Sequence, residues 1–366
     1  MHRVIGQNDI QSTWSKMLTS EKVPHAMILS GDDGYGGLSL ALYLVEALLC
    51  QRPSEQSGSS PNQTFSLSGC GQCPSCKKMR ELTHPDLHIA FPMLAAARKK
   101  QGHLARGVLH NMLQANPYLS IDTFLNHFNS EGKKNIAGNI TADDVKQILS
   151  NLTLSSFAGG WKAQIIWHAE RLDNGPTKES NKLLKLLEEP PAKTLIILIT
   201  PNHRHLLTTI LSRCQLFQLK PVPYSEVSSL SEAALNGFPK PSESQWKLAQ
   251  YVPGKLFGNG DDQGMLNEAE QLAKELVDLL VQVPRPDSIR SLERSTKQLT
   301  SSSATLQLKT LRYAAQLVDD FRDRDRLALA ALSNLLSQVA LEAGQSIRIS
   351  TRIMGLWLNL HQKFKL

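Results

Sequence analysis

The chain has 366 residues, 41% of them hydrophobic, with a formal net charge of +7 and five cysteines. That length supports two or three domains with cores of their own. Its longest apolar runs, such as "TLIILI" at 194–199, fall far short of the roughly 20 residues a membrane helix needs, and the start "MHRVIGQNDI" lacks the apolar segment of a secretory leader. A soluble, cytoplasmic protein is expected, with no membrane partner. The basic excess suits a polyanionic partner or an ordinary solvated surface, since no dense basic run accompanies it.

In chain order, residues 10–31 read as an amphipathic helix, a short loop and a strand ending at Gly31, and 38–50 as an apolar helix running into Cys50. Residues 51–69 are rich in Ser, Pro and Gln and read as a surface loop. From Pro92 to about Asn135, "PMLAAARKKQGHLARG" and "NPYLSIDTFLNHF" look like helical insertions, and Thr141 is a good N-cap for "TADDVKQILSNL". "AQIIWHA" and "TLIILIT" are buried strands, "QLFQLK" is a third, "TKESNKLLKLLEEPP" is a helix stopped by Pro190 and Pro191, and "HLLTTILSRC" is a short helix. Apolar strands alternating with helices predict an α/β domain with a parallel sheet covered on both faces. Residues 222–260 read as a small helical bundle, and the chain from about 262 as almost wholly helical.

Cys70, Cys73 and Cys76 follow a C-x2-C-x2-C pattern, and Cys50 can complete a set of four. Four thiolates suit a closed, structural zinc site that staples a loop with little core of its own. An iron–sulfur cluster fits the spacing less well, and buried free thiols are the plain alternative. His84 and His88 lie near the cluster, but four cysteines already complete a shell. Cys214 stands apart and is expected to pack in the core.

"GDDGYGGL" at 31–38 has the frame of a phosphate loop, G-x-x-x-x-G-K-[ST]. Gly31 and Gly36 fall in place, with Gly34 between them, but Gly37 stands where the lysine belongs and Leu38 where the magnesium-binding hydroxyl belongs. Ser39 is one place late, about 100° around a helix. The acidic motif expected after Ile165 and Ile166 is replaced by Trp167 and His168. A magnesium ion would have no carboxylate and an attacking water no base, so ATP is not expected to bind productively or be hydrolysed. Taken alone, a Gly-rich turn before a helix is weak evidence, and a tight strand-to-helix turn is the favoured explanation of the glycines.

"VIGQ" at 4–7, "VPHAMILSG" at 23–31, the cysteine pattern, "THPDL" at 83–87, "NKLLKLLEEPP" at 181–191 and "LLTTILSRC" at 206–214 together resemble the clamp-loader subunits of bacterial DNA polymerase III, over residues 1 to about 220. The resemblance implies an AAA+ core at 1–220 with a zinc module at 50–76, a helical lid at 221–261 and a helical collar at 262–366 that joins subunits in a ring. Within that family the gamma/tau subunits are ATPases with an intact lysine loop. The delta-prime branch has lost it, and this sequence is similar to that branch. Pro201 stands at the γ-phosphate-sensing position, and Gly254 in "YVPGKLFG" stands where a second sensor arginine is expected. The 19 residues between Cys50 and Cys70, and the 92–135 stretch, exceed the family pattern.

The resemblance gives Arg213 the role of an arginine finger acting in trans on a neighbour's ATP; helix capping is its structural alternative. Implied partners are gamma/tau and delta subunits, the sliding clamp and, through the complex, primed DNA, within a DNA-directed DNA polymerase holoenzyme. A second expectation is a gamma/tau-like, DNA-stimulated ATPase in which Ser39 and Lys162 or Lys178 replace the lost groups. A third is a zinc-stabilised nucleic-acid-binding module acting alone.

Overall fold

The computed structural model describes residues 4–56, 66–129, 138–157, 159–172, 180–230, 235, 238, 240–257, 260–281, 286–301, 306–307, 310–311, 314–315 and 353. The chain divides into two compact units, Met1–Lys240 with Val252–Gly258, and Pro241–Tyr251 with Asn259–Leu366. No helix among the described residues is long and apolar enough to cross a membrane.

The first unit opens with α1 (Asn8–Thr19), β1 (Ala26–Ser30) and α2 (Gly37–Leu49). A small antiparallel pair, β2 (Ser54–Gln56) and β3 (Ser66–Ser68), precedes α3 (Pro74–Arg80) and β4 (Leu87–Ala90). Then come α4 (Ala95–Gln101), α5 (Ala105–Ala115), α6 (Ile121–His127), α7 (Ala142–Thr153) and β5 (Lys162–Trp167). The unit continues through α8 (Ser180–Glu188), β6 (Thr194–Thr200), α9 (Thr208–Leu211), β7 (Gln215–Gln218) and α10 (Tyr224–Ser228).

Five strands form one parallel sheet in the order β4-β5-β6-β1-β7. Every residue of β1, β5 and β6 is buried, including Lys162 and Gln164 of β5, as the central strands of a parallel sheet covered on both faces are. On one face, Val145, Ile148 and Leu152 of α7 and Leu183, Leu186 and Leu187 of α8 pack on Ile28, Ile166, Ile196 and Leu198. Burying each such side chain contributes about 1.5–3 kcal/mol. β7 is the exception to the all-apolar expectation: it is an edge strand, with Gln215, Leu216 and Gln218 exposed.

The expected N-cap at Thr141 is a capping box, with the Thr141 N–H donating to Asp144 Oδ2 at 2.7 Å. α8 ends ahead of Pro190, as expected, while Thr177–Glu179, where the helix is expected to start, lie outside the described residues. The 51–69 loop is corrected in part, because its ends pair as β2 and β3. The polar composition hid an anchor: the Leu67 N–H donates to Ser15 Oγ on α1 at 2.7 Å.

α12 (Pro253–Phe257) belongs to the first unit, whereas α11 (Glu243–Leu248) groups with the second unit's α13 (Gly260–Val281) and α14 (Pro286–Ser301). In that second unit Trp246, Ala273, Leu276, Val277, Leu292 and Leu299 are buried, and Gln245 Nε2 donates to Glu270 Oε2 at 3.0 Å.

Candidate functional site

The glycine loop leaves the C-terminal end of β1, where the Gly31 N–H donates to Thr200 O at 3.0 Å. A single turn, Asp33–Tyr35, leads to Gly36 at φ 74°, a left-handed conformation that favours glycine, and α2 follows at once. Gly37 and Leu38, the positions lacking lysine and hydroxyl, are both buried. A Cβ on Gly34 would come within 2.5 Å of Val252 Cγ1 and 3.3 Å of Gly254 Cα. The glycine at the expected second-sensor position therefore lies directly on the loop, where backbone meets backbone.

Ser39 does not substitute for the missing hydroxyl, because its Oγ donates to Pro117 O at 2.6 Å. Lys162 is also committed elsewhere. It is 5% exposed, at the opposite end of β5 from Trp167, and its ammonium caps the end of α7 on Leu152 O and Leu154 O. Lys178 lies outside the described residues.

At the C-terminal end of β5, Trp167 and His168 are 2% and 3% exposed. His168 takes φ 57°, and its ring reaches Asp33 of the loop. Its Nδ1 lies 2.7 Å from Glu170 Oε1, and its Nε2 lies 2.7 Å from Asp33 Oδ1, the latter an ion-pair contact rather than an aligned hydrogen bond. Burial alone would lower the imidazole's pKa, but the two carboxylates outweigh it and raise it to about 9. Asp33 Oδ2 also accepts the Ile121 N–H at 3.1 Å. Trp167 packs on Phe124 of α6, ring centroids 5.9 Å apart. A buried imidazolium between two carboxylates thus occupies the position that an acidic metal-binding motif holds in the pattern. Sequence reading found the substitution but not the Asp33–His168–Glu170 cluster, because Asp33 is remote from the other two along the chain.

Arg213 lies two residues beyond α9, before edge strand β7. Its Nη1 donates to Thr209 O at 2.8 Å and its Nη2 to Glu188 Oε1 at 2.6 Å. Helix capping is thus realised in this chain, yet the side chain remains 32% exposed. Cys214 packs against the core as expected, and burial pushes its thiol up to about 12.

The sulfurs of Cys50, Cys70, Cys73 and Cys76 all lie within 4.8 Å of one another, with Cys50 and Cys73 3.9 Å apart. A zinc tetrahedron with bonds of about 2.3 Å places sulfurs roughly 3.8 Å apart. Backbone N–H groups point at the cluster: Cys70 N to Cys50 Sγ at 3.2 Å, Cys73 N to Cys70 Sγ at 3.4 Å and Cys76 N to Cys73 Sγ at 3.4 Å. Amides from Gln72 and Cys73 hold the Cys70 thiol down at about 6, while burial raises Cys50 and Cys76. The donor set fits a soft metal ion with no open position. His84 bonds its own turn instead, accepting the Asp86 N–H at Nδ1 (3.1 Å). His88 lines a separate cavity of about 310 Å³ beside α4, α5 and α7.

A family model described as "DNA polymerase III, delta subunit" matches residues 6–223. The delta-prime subunit of DNA polymerase III from Pseudomonas aeruginosa is 25% identical over 92% of this chain and 85% of its own length. The delta-prime subunit from Bacillus subtilis is 27% identical over 59% of this chain and 49% of its own. The tau subunit from Salmonella typhimurium is 24% identical over 64% of this chain and 27% of its own. The chain thus spans most of the first relative and about half or less of the other two. It belongs to the clamp-loader family of DNA polymerase III delta-prime subunits.

Proposed function

We propose that this chain is a non-hydrolysing clamp-loader subunit that supplies Arg213 in trans to the ATP of an adjacent gamma/tau subunit. It works there with gamma/tau and delta subunits so that the complex loads the sliding clamp on primed DNA. One observation carries the reading: the chain's own loop is engaged by its own residues, while Arg213 is held at the unit's surface only by the exposed carboxylate of Glu188, the Thr209 carbonyl and the Ser212 hydroxyl. A guanidinium is permanently charged and planar, so it can meet charge developing on a γ-phosphate. Such fingers contribute about 10³–10⁵ in rate. The domain roles follow the same reading: residues 1–220 form the core, 221–261 the lid and 262–366 the collar. Zinc on Cys50, Cys70, Cys73 and Cys76 is structural; it would cross-link the end of α2 to α3, and no reaction step passes through it.

The alternative of an atypical ATPase is less well supported, because Ser39 and Lys162 are both engaged elsewhere. The deciding experiment is ATP turnover of the reconstituted loader with clamp and primed DNA, comparing the native chain with Arg213→Ala in complexes verified to assemble. A fall of at least about tenfold, with no turnover by this chain alone, is expected. Unchanged turnover would remove the finger role.

A further inference from the structure

The 92–129 stretch lies in the part of the chain that exceeds the family pattern in length, and three of its contacts converge on the degenerate loop. Tyr118, 1% exposed, lays its ring over Gly36, where a Cβ would come within 3.1 Å of Tyr118 Cδ1. Its hydroxyl accepts the Ile5 N–H at 2.8 Å, and its ring lies 6.1 Å from that of Phe257. Next to it, Pro117 O accepts the Ser39 hydroxyl at 2.6 Å, and the Ile121 N–H donates to Asp33 Oδ2 at 3.1 Å. On the metal side, Phe124, fully buried, packs edge-on to Phe91 and Phe128 and against Trp167.

We propose that this insertion is a built-in plug of the nucleotide site. Residues Pro117–Ile121 take up the space beside the loop that a nucleotide's phosphates would enter, and Phe124 with Trp167 fills the side where a divalent cation would sit. The charge on the loop is inverted to match. A working phosphate loop offers backbone amides and a lysine to an anion. This one carries Asp32 and Asp33, and the cation that neutralises Asp33 is His168 of the same chain. The site is closed by occupancy and by charge, in addition to lacking its lysine and hydroxyl. The plug also clasps the chain's beginning, through Ile5, to α2, through Ser39. It therefore holds strand end, loop and helix in one arrangement with no nucleotide.

This inference rests on reading Gly31–Gly37 as a degenerate phosphate loop, and it is independent of Arg213. Its test uses the full chain and a fluorescent ATP analogue with magnesium. Gly37→Lys with Leu38→Thr restores the two missing groups; a second variant adds Tyr118→Ala and Asp33→Gly to open the plug. The restored pair alone is expected to bind at least about tenfold more weakly than the opened variant. Equal binding by the two overturns the plug, as does absence of binding in an opened variant that still unfolds cooperatively. A second arm covers an opened variant that does not fold. Tyr118→Phe keeps the ring and loses only the acceptor for Ile5, so amide exchange at Ile5 and Gly36–Ser39 should rise about three- to tenfold. Unchanged exchange there overturns the proposal equally.

Discussion

Arg213 Nη2 sits 2.6 Å from Glu188 Oε1, so the arginine of the "SRC" motif is tethered to the glutamate of "LLEEPP". The two side chains are 32% and 50% exposed, and an ion pair in that setting contributes about 0–1 kcal/mol. Leaving Glu188 for a neighbouring phosphate is therefore inexpensive. Glu188→Gln and Arg213→Ala should each change the urea-unfolding free energy of the isolated chain by less than about 1 kcal/mol. Arg213→Lys should keep the pairing with Glu188 yet lower loader turnover nearly as far as alanine does, because an ammonium lacks the planar fork. Full turnover with lysine would show that only charge, and not guanidinium geometry, matters at this position.

The four-cysteine cluster should hold one metal ion per chain, measured by elemental analysis, with zinc as the ion and no visible absorbance of an iron–sulfur centre. Cys73→Ser removes a ligand whose backbone N–H and Sγ both belong to the amide–sulfur network. The ion should then be lost, and hydrogen exchange should rise across α3 and β3, since metal affinity there is local folding energy. A chain that keeps its ion after this substitution would not be using the four-thiolate shell.

Phe124→Ala tests whether the insertion belongs to the core. Phe124 is fully buried among Phe91, Phe128 and Trp167, so truncation should cost about 3–5 kcal/mol in urea unfolding. A cost below about 1 kcal/mol would mark α4–α6 as a peripheral appendage instead.

The parallel sheet was legible because β1, β6 and the Ile165–Trp167 end of β5 are apolar runs, a pattern that buried parallel strands impose. The cysteine cluster was legible from spacing, since C-x2-C-x2-C brings three sulfurs together within one turn and a helix start. The departures from the phosphate-loop pattern were legible at residues 37, 38, 167 and 168. What replaces the lost groups was not. Tyr118 reaches Ile5 across 113 positions and His168 reaches Asp33; such pairings depend on topology, which no local period encodes. β2 and β3 were missed for a related reason: polar three-residue strands carry no apolar alternation, and an anchor on Ser15 leaves no trace in composition.

His168 links the loop to pH. Its folded pKa is raised from the ordinary 6.5 to about 9 by Asp33 and Glu170, against the opposing effect of burial. A group whose folded pKa is raised binds its proton more tightly when folded, so its contribution is complete below about pH 6.5 and is lost as pH rises through about 9. A rise of that size corresponds to roughly 3 kcal/mol. Unfolding free energy should therefore decline between pH 6.5 and 9 in the native chain. His168→Gln cannot carry the charge and should show a flatter profile over that range, with its deficit relative to the native chain greatest at pH 6.5 and smallest at pH 9. Taking the difference between the two proteins cancels other groups that titrate in that range. Parallel profiles would mean that the imidazole is neutral in the fold and that Asp33 is held by the Ile121 N–H alone.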